Sequence, residues 1–326
     1  VGDSTAAVHL RQIITKVAPT GSRVLITGPA GSGKELVARM LHDQSSRASG
    51  PFIIINAANM APERMELELF GAESHNGTPP KVGLFEQAHN GTLYIDEVAE
   101  MPIETQGKIL RVLVDQKFER IGGRTPVQVD VRVFSSTSTA LRQKILLGSF
   151  REDLFHRLNV VPVHVPSLVE RRDDIPALVE HFMNRLAASL RTPVRKLAMD
   201  AIATMQTYDW PGNVRQLRNV VERLLILASD DVQQAISADM LPMELSAATP
   251  PLLRAGGAGG SEIAMSLPLR EARELFERDY LIAQIDRFGG NISRTASFIG
   301  MERSALHRKL KSLGVFSHTK GEEATV

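Results

Sequence analysis

From Val24 to about Val165, short apolar runs alternate with amphipathic stretches. VLIT (24–27), FIIIN (52–56), TLYID (92–96) and VRVFSST (131–137) read as strands bounded by turn residues. Between them, KELVARMLHDQS (34–45) and ETQGKILRVLVDQ (104–116) carry apolar residues at helical spacing. This alternation predicts an α/β domain with a parallel sheet and helices on both faces. Beyond about Leu168 the strand signals stop. DIPALVEHFMNRLAASL, MDAIATMQTYDW and NVRQLRNVVERLLILA predict three helices, with Trp210, the sole tryptophan, packing their core. Residues 246–267 have the Pro, Gly, Ala and Ser content of a flexible linker, and 268–315 return to a helical pattern before a frayed GEEATV tail. The expected organisation is an α/β subdomain over 1–167, an all-α subdomain over 168–245, the linker, and an all-α domain over 268–326.

Composition changes this picture little. With 326 residues, 43% of them apolar and 23% charged, and a net charge of +1, any basic surface must be local. The absence of cysteine excludes disulfides and thiolate metal sites and fits a reducing, cytoplasmic setting. FIIINAA (52–58) is among the longest apolar runs, far short of the roughly 20 residues that span a bilayer, so no membrane partner is expected. The chain opens on Val1 with a helical pattern almost at once, which suggests part of a longer protein.

The chemistry concentrates in three places. GPAGSGKE (28–35) follows a strand and opens a helix, the setting of a phosphate-binding P-loop. There Gly28, Pro29, Ala30, Gly31, Ser32 and Gly33 would curl their N–H groups around phosphate oxygens, and Lys34 would reach the β- and γ-phosphates. Glu35 stands where the general motif has a Mg²⁺-binding Ser or Thr, so the metal must lean on other groups. TLYIDE (92–97) ends in two carboxylates: Asp96 to hold Mg²⁺ through water, and Glu97 to polarise the attacking water as general base. Spacing and context thus predict ATP or GTP binding.

The third place is NISRTASFIGMERSALHRKLKSLGV (291–315), laid out as a helix-turn-helix with Gly300 at the turn. It holds Arg294, Arg303, Arg308, Lys309 and Lys311 against the single acid Glu302. Arg303, Ser304 and His307 fall early on the second helix, where side chains reach base edges of double-stranded DNA. Arg294, Arg308, Lys309 and Lys311 are expected on the DNA as well, the last three at phosphates.

FREDLFHRLNVVPVHVPSLVERRDDIPALVEHF (150–182) and YDWPGNVRQLRNVVERLLIL (208–227) resemble the AAA+ domain of bacterial enhancer-binding proteins, the activators of σ54 RNA polymerase. The resemblance covers about residues 3 to 245, and residues 291–315 resemble that family's Fis-type DNA-binding domain. It implies ATP as the nucleotide, bound between subunits of a ring. It maps arginines that enter the neighbour's site onto Arg151 and Arg157, a second sensor onto Arg215, and a first sensor onto Thr137 and Ser138. Ser138 departs from the Thr-Asn common there. Asn56 matches the asparagine that holds the catalytic glutamate, which would pair it with Glu97. ATP turnover would then depend on assembly.

One segment departs further. Between ELFG and the GLFE helix the family carries GAFTGA, whose Phe and Thr contact σ54. Here the interval reads AESHNGTPPKV, shorter and without an aromatic residue. With DEVAEMPIETQGKILRVLVDQKFERIGG, this resembles the nitrogen-regulation response regulators of that family. The resemblance implies a receiver domain outside this chain and a partner histidine kinase, and the apolar spacing of LPLREARELFERDYLIAQIDRF (267–288) predicts a helix that packs a dimer. Two readings remain: a DNA-binding regulator whose AAA+ domain binds ATP and organises oligomers without σ54, or a σ54 polymerase-remodelling ATPase with an unorthodox loop.

Overall fold

A computed structural model describes residues 1–74, 80–227, 235–247 and 269–315. They form two compact units: Ala6–Ser167, and Val1–Thr5 together with Leu168 onward.

In the first unit a five-stranded sheet is built from β1 (Val24–Thr27), β2 (Phe52–Asn56), β5 (Thr92–Asp96), β8 (Arg132–Thr137) and β9 (Val161–His164). All its pairings are parallel, and the spatial order is β2-β5-β8-β1-β9. The period of two along each strand sorts side chains onto two faces. Leu25, Leu93, Ile95 and Val133 face a core shared with α3 (Pro62–Phe70), α5 (Ile103–Asp115) and α7 (Glu152–Leu158). Val24, Ile26, Tyr94 and Phe134 face α1 (Thr5–Val17) and α2 (Lys34–Asp43). Strands covered on both faces read as continuous apolar runs, which is why VLIT, FIIIN and TLYID were recognisable. β9 leaves little trace in the sequence, because VPVH is short and holds a proline and a histidine; it lies at the sheet edge, where proline is tolerated.

Two small antiparallel hairpins complete this unit. β3 (Gly71–Ala72) pairs with β4 (Lys81–Val82), and β6 (Lys117–Glu119) with β7 (Pro126–Gln128). The first is the stem of the polar interval expected to be a bare connector, whose residues 75–79 lie outside the described residues. Gly71 has φ 72° and packs so close to the Lys81 carbonyl that a side chain would collide with it. Arg120 ties the two hairpins, meeting Glu86 at 2.7 Å and Glu73 at 3.2 Å. Between the hairpins lie α4 (Leu84–Gln87) and α5, and α6 (Leu141–Leu146) follows β8.

The second unit holds α8 (Ile175–Leu190), α9 (Met199–Thr207) and α10 (Asn213–Leu227), close to the expected helices. They pack around Trp210, which is fully buried and donates its indole N–H to the Met205 carbonyl at 2.7 Å. A short α11 (Met243–Ala247) reaches into the expected linker, the rest of which lies outside the described residues, as do residues 267–268 and the tail from 316. α12 (Leu269–Arg287), α13 (Ile292–Phe298) and α14 (Arg303–Ser312) follow, with Leu281, Ala296, Leu306 and Leu310 as their core. Val1–Thr5 group with this unit because Ser4 donates its N–H and hydroxyl to Asp174 at 2.8 and 2.7 Å.

Candidate functional site

Placing β1 between β8 and β9 puts the P-loop at the carboxyl end of the sheet, where ligands bind in open α/β folds. Gly28 has φ 154°, and a Cβ there would come within 2.5 Å of the Val165 carbonyl, so the tight loop excludes other residues. Gly33 has φ 107° and hands the chain into α2 with its N–H groups free of a side-chain cap. A cavity of about 550 Å³ beside the loop is lined by Thr27, Gly28, Thr137, Ser138, Arg142 and His164, among others.

Lys34 is buried and turns back on its own loop, donating to the Gly28 carbonyl at 3.0 Å and meeting Glu97 Oε1 at 3.1 Å. The other Glu97 oxygen accepts from the Ser138 N–H at 2.9 Å and from its hydroxyl at 2.8 Å. Burial pushes the Glu97 carboxyl up, but the Ser138 donors and the Lys34 ammonium outweigh it and hold the group below the ordinary glutamate range. The Glu97 backbone has φ 51° and ψ 52°, a left-handed conformation that costs about 1–3 kcal/mol in a non-glycine residue.

Asp96 has its own holders. Asn56 donates to Oδ2 at 2.9 Å, while Tyr94 at 3.0 Å and the Ser136 hydroxyl donate to Oδ1. The expected pairing of Asn56 with Glu97 is therefore corrected. β2 and β5 are in register with Asn56 opposite Asp96, so the amide meets the nearer carboxylate. Of the two expected sensor residues, only Ser138 reaches Glu97; the Thr137 hydroxyl is committed to its own turn, donating to the Thr139 carbonyl at 2.9 Å. Sequence reasoning gave Tyr94 and Ser136 no role. Their alternation with Asp96 and across β8 was the signal that could have found them. Glu35 pairs with Arg39 at 2.9 Å on the surface of α2.

The two motif arginines differ. Arg151, at the start of α7, forms a two-pronged pair with Asp153 at 3.0 and 2.7 Å. Arg157, on the last turn of α7, has a buried Nε without a hydrogen-bond partner. It lies near Arg23, whose guanidinium is shifted downward by burial and by that charge. Arg215 is exposed on α10 of the second unit.

In the C-terminal helices, Asn291 caps α13 by accepting from the Arg294 N–H at 3.1 Å, and Gly300 turns the chain at φ 71°. Arg303, Ser304, His307, Arg308 and Lys311 are exposed on α14, and Glu302, Arg303, Ser304 and His307 line a shallow depression. Two expected DNA contacts are engaged elsewhere: Arg294 pairs with Asp173 at 2.6 Å, and Lys309 pairs with Glu277 of α12. No helix among the described residues is long and apolar enough to cross a membrane.

Family models match along the chain: the Sigma-54 interaction domain over residues 1–164, the AAA+ ATPase lid domain over 169–255, and the Fis family of bacterial regulatory proteins over 272–313. The nitrogen assimilation regulatory protein NtrX of Azorhizobium caulinodans is 58% identical, over 97% of this chain and 69% of its own length. The DNA-binding transcriptional regulator NtrC of Escherichia coli is 39% identical, over 97% of this chain and 70% of its own. The crystal structure of Brucella abortus NtrX in complex with ATP superposes with a TM-score of 0.84 at 61% identity, covering 96% of this chain and 69% of that one.

Proposed function

Because the chain belongs to the NtrX branch of the Sigma-54 interaction domain family, we propose that its P-loop binds ATP with Mg²⁺ and that it regulates transcription without driving σ54 polymerase. It is a DNA-binding transcriptional regulator with an AAA+ nucleotide-binding domain and a Fis-type helix-turn-helix. That the Brucella relative was crystallised with ATP supports the choice of nucleotide.

In this reading Lys34 and the loop from Gly28 to Gly33 hold the phosphates, and Glu97 is the base. The donors near the loop are oxygens, and Asp96 Oδ2 keeps a lone pair beside its Asn56 bond. That set suits Mg²⁺ held largely by water and phosphate, with Asp96 as the protein's anchor and Glu35 turned away to Arg39. When bound, the ion neutralises charge on the transferring phosphoryl. Arg157 is the better trans-acting arginine: its charge is unspent, whereas Arg151 is neutralised by Asp153. Arg215 and Thr137 keep their sensor assignments as part of the same reading. Exposed Phe276, stacked on Tyr280 at 6.1 Å on α12, supports a second copy as dimer partner. A receiver domain phosphorylated by a histidine kinase, ring assembly through the AAA+ domain, and a cytoplasmic location complete it.

The observation that carries the σ54-independent reading is a site with its full set of ATP groups joined to an interval, AESHNGTPPKV, that has no aromatic residue to offer a σ factor. Transcription reconstituted with σ54 polymerase, promoter DNA and ATP tests it. Binding of the chain to DNA without ATP-dependent open complexes is expected; ATP-dependent opening would favour the remodelling ATPase instead.

A further inference from the structure

We propose that Glu302, the one acid of the basic segment 291–315, is a specificity residue that selects a cytosine in the DNA site. The inference rests on the DNA-binding reading of the C-terminal helices and adds to it the base that one side chain demands.

Glu302 is the residue from which α14 starts, and the first residues of the second helix of a helix-turn-helix are those that meet base edges. It shares a shallow depression with Arg303, Ser304 and His307, all of them exposed. Leu306 and Leu310 hold the opposite side of α14 in the core with Leu281 and Ala296.

The carboxylate there is uncommitted. Lys309 is paired with Glu277 and Arg294 with Asp173, but Glu302 forms no ion pair among the described residues. Its side chain does not cap its own helix. The Ser304 hydroxyl donates to Oε2 at 3.5 Å, longer than an ordinary O–H···O bond.

An ionised carboxylate only accepts hydrogen bonds, so on a surface that approaches phosphates it is repelled unless a donor meets it. In the major groove the donors are the amino groups of cytosine N4 and adenine N6. Guanine offers acceptors alone, and thymine an acceptor and a methyl group. Adenine sets its N7 acceptor beside the amino group, and a carboxylate meets a repulsion there that cytosine does not present. Cytosine is the base left. Discrimination then has two sides: a hydrogen bond gained on cytosine, and charge repulsion against other bases and against binding to phosphates alone. Arg303, the next residue, offers the complementary chemistry, a two-pronged donor for guanine O6 and N7.

The test selects double-stranded DNA from a randomised pool with the whole chain, as wild type, Glu302→Gln and Glu302→Ala, and sequences what is retained. Circular dichroism melts check that each protein is folded. Wild type should enrich a cytosine at a fixed position. Glu302→Gln should move that position to adenine, because a carboxamide donates to N7 and accepts from N6. Glu302→Ala should leave it without preference, and the other positions should stay as in wild type. By fluorescence anisotropy, the penalty for replacing that cytosine pair by a thymine pair should be roughly five- to tenfold larger for wild type than for Glu302→Ala. Both variants should bind DNA of unrelated sequence a few-fold more tightly at low salt, with the gain fading as salt rises. A role confined to the helix end would lower the melting temperature and leave the selected sequence alone. That outcome, or the same preference at every position in all the proteins, would overturn the proposal. Enrichment of no sequence by wild type would instead fail the DNA-binding reading itself, and the wild-type selection alone reveals it.

Discussion

The Asn56 amide donates to Asp96 at 2.9 Å, while Glu97, the next residue along the chain, turns to Ser138. Adjacent carboxylates at one strand end thus have separate holders. Asn56→Ala should cost Asp96 about 1 kcal/mol of support and show as a higher Mg²⁺ requirement for ATP binding. Calorimetric titrations at several Mg²⁺ concentrations check this, and a dependence identical to wild type counts against it.

Trp210 carries the core of the helical lid and satisfies its N–H on Met205. Trp210→Ala should destabilise by about 3–5 kcal/mol. Trp210→Phe, which keeps most of the volume but loses the hydrogen bond, should cost about 1–2 kcal/mol. Circular dichroism melts rank the two; equal effects would mean that the hydrogen bond, not the volume, decides.

Arg294 is expected on DNA but is held by Asp173 on the lid side of the second unit. Both groups are partly exposed, so the pair is weak and screened by salt. Asp173→Asn should free Arg294 and tighten DNA binding a few-fold at low salt, with the gain fading as salt rises. Fluorescence anisotropy over a salt series measures it. Arg308→Ala, by contrast, should weaken binding to all sequences alike and reduce the salt slope by about one.

Arg120 clamps Glu86 through two hydrogen bonds, 2.9 and 2.7 Å, and this pulls the Glu86 carboxyl below its ordinary value of 4.5. A carboxyl lowered in the folded state stabilises fully above the unfolded value and loses that contribution as pH falls through the folded one. Glu86→Gln should therefore melt below wild type near neutral pH, and the gap should close as pH drops beneath 4.5. Thermal melts across that range decide it; a gap independent of pH would assign the effect to packing.

The parallel sheet was legible because strands buried on both faces leave unmistakable apolar runs, and the P-loop because a glycine-rich turn sits between one such strand and a helix. The helix-turn-helix was legible from local charge and a single glycine. What escaped is what depends on register. Asn56 and Asp96 lie 40 positions apart and meet only because β2 and β5 align them. The stem Gly71–Ala72 with Lys81–Val82 is too short to alternate visibly, and its support comes from Arg120, far along the chain. The Arg294–Asp173 pair likewise joins helices that no local pattern connects.

Ser4 is fastened by two hydrogen bonds to Asp174, next to the Asp173 that holds Arg294. In mechanical terms, Ser4 is a tether point, so any displacement of its backbone is felt directly at the Asp174 carboxylate. Its neighbour Asp173 pairs with Arg294, so two consecutive acids fasten segments from widely separated parts of the sequence, one through Ser4 and one through Arg294.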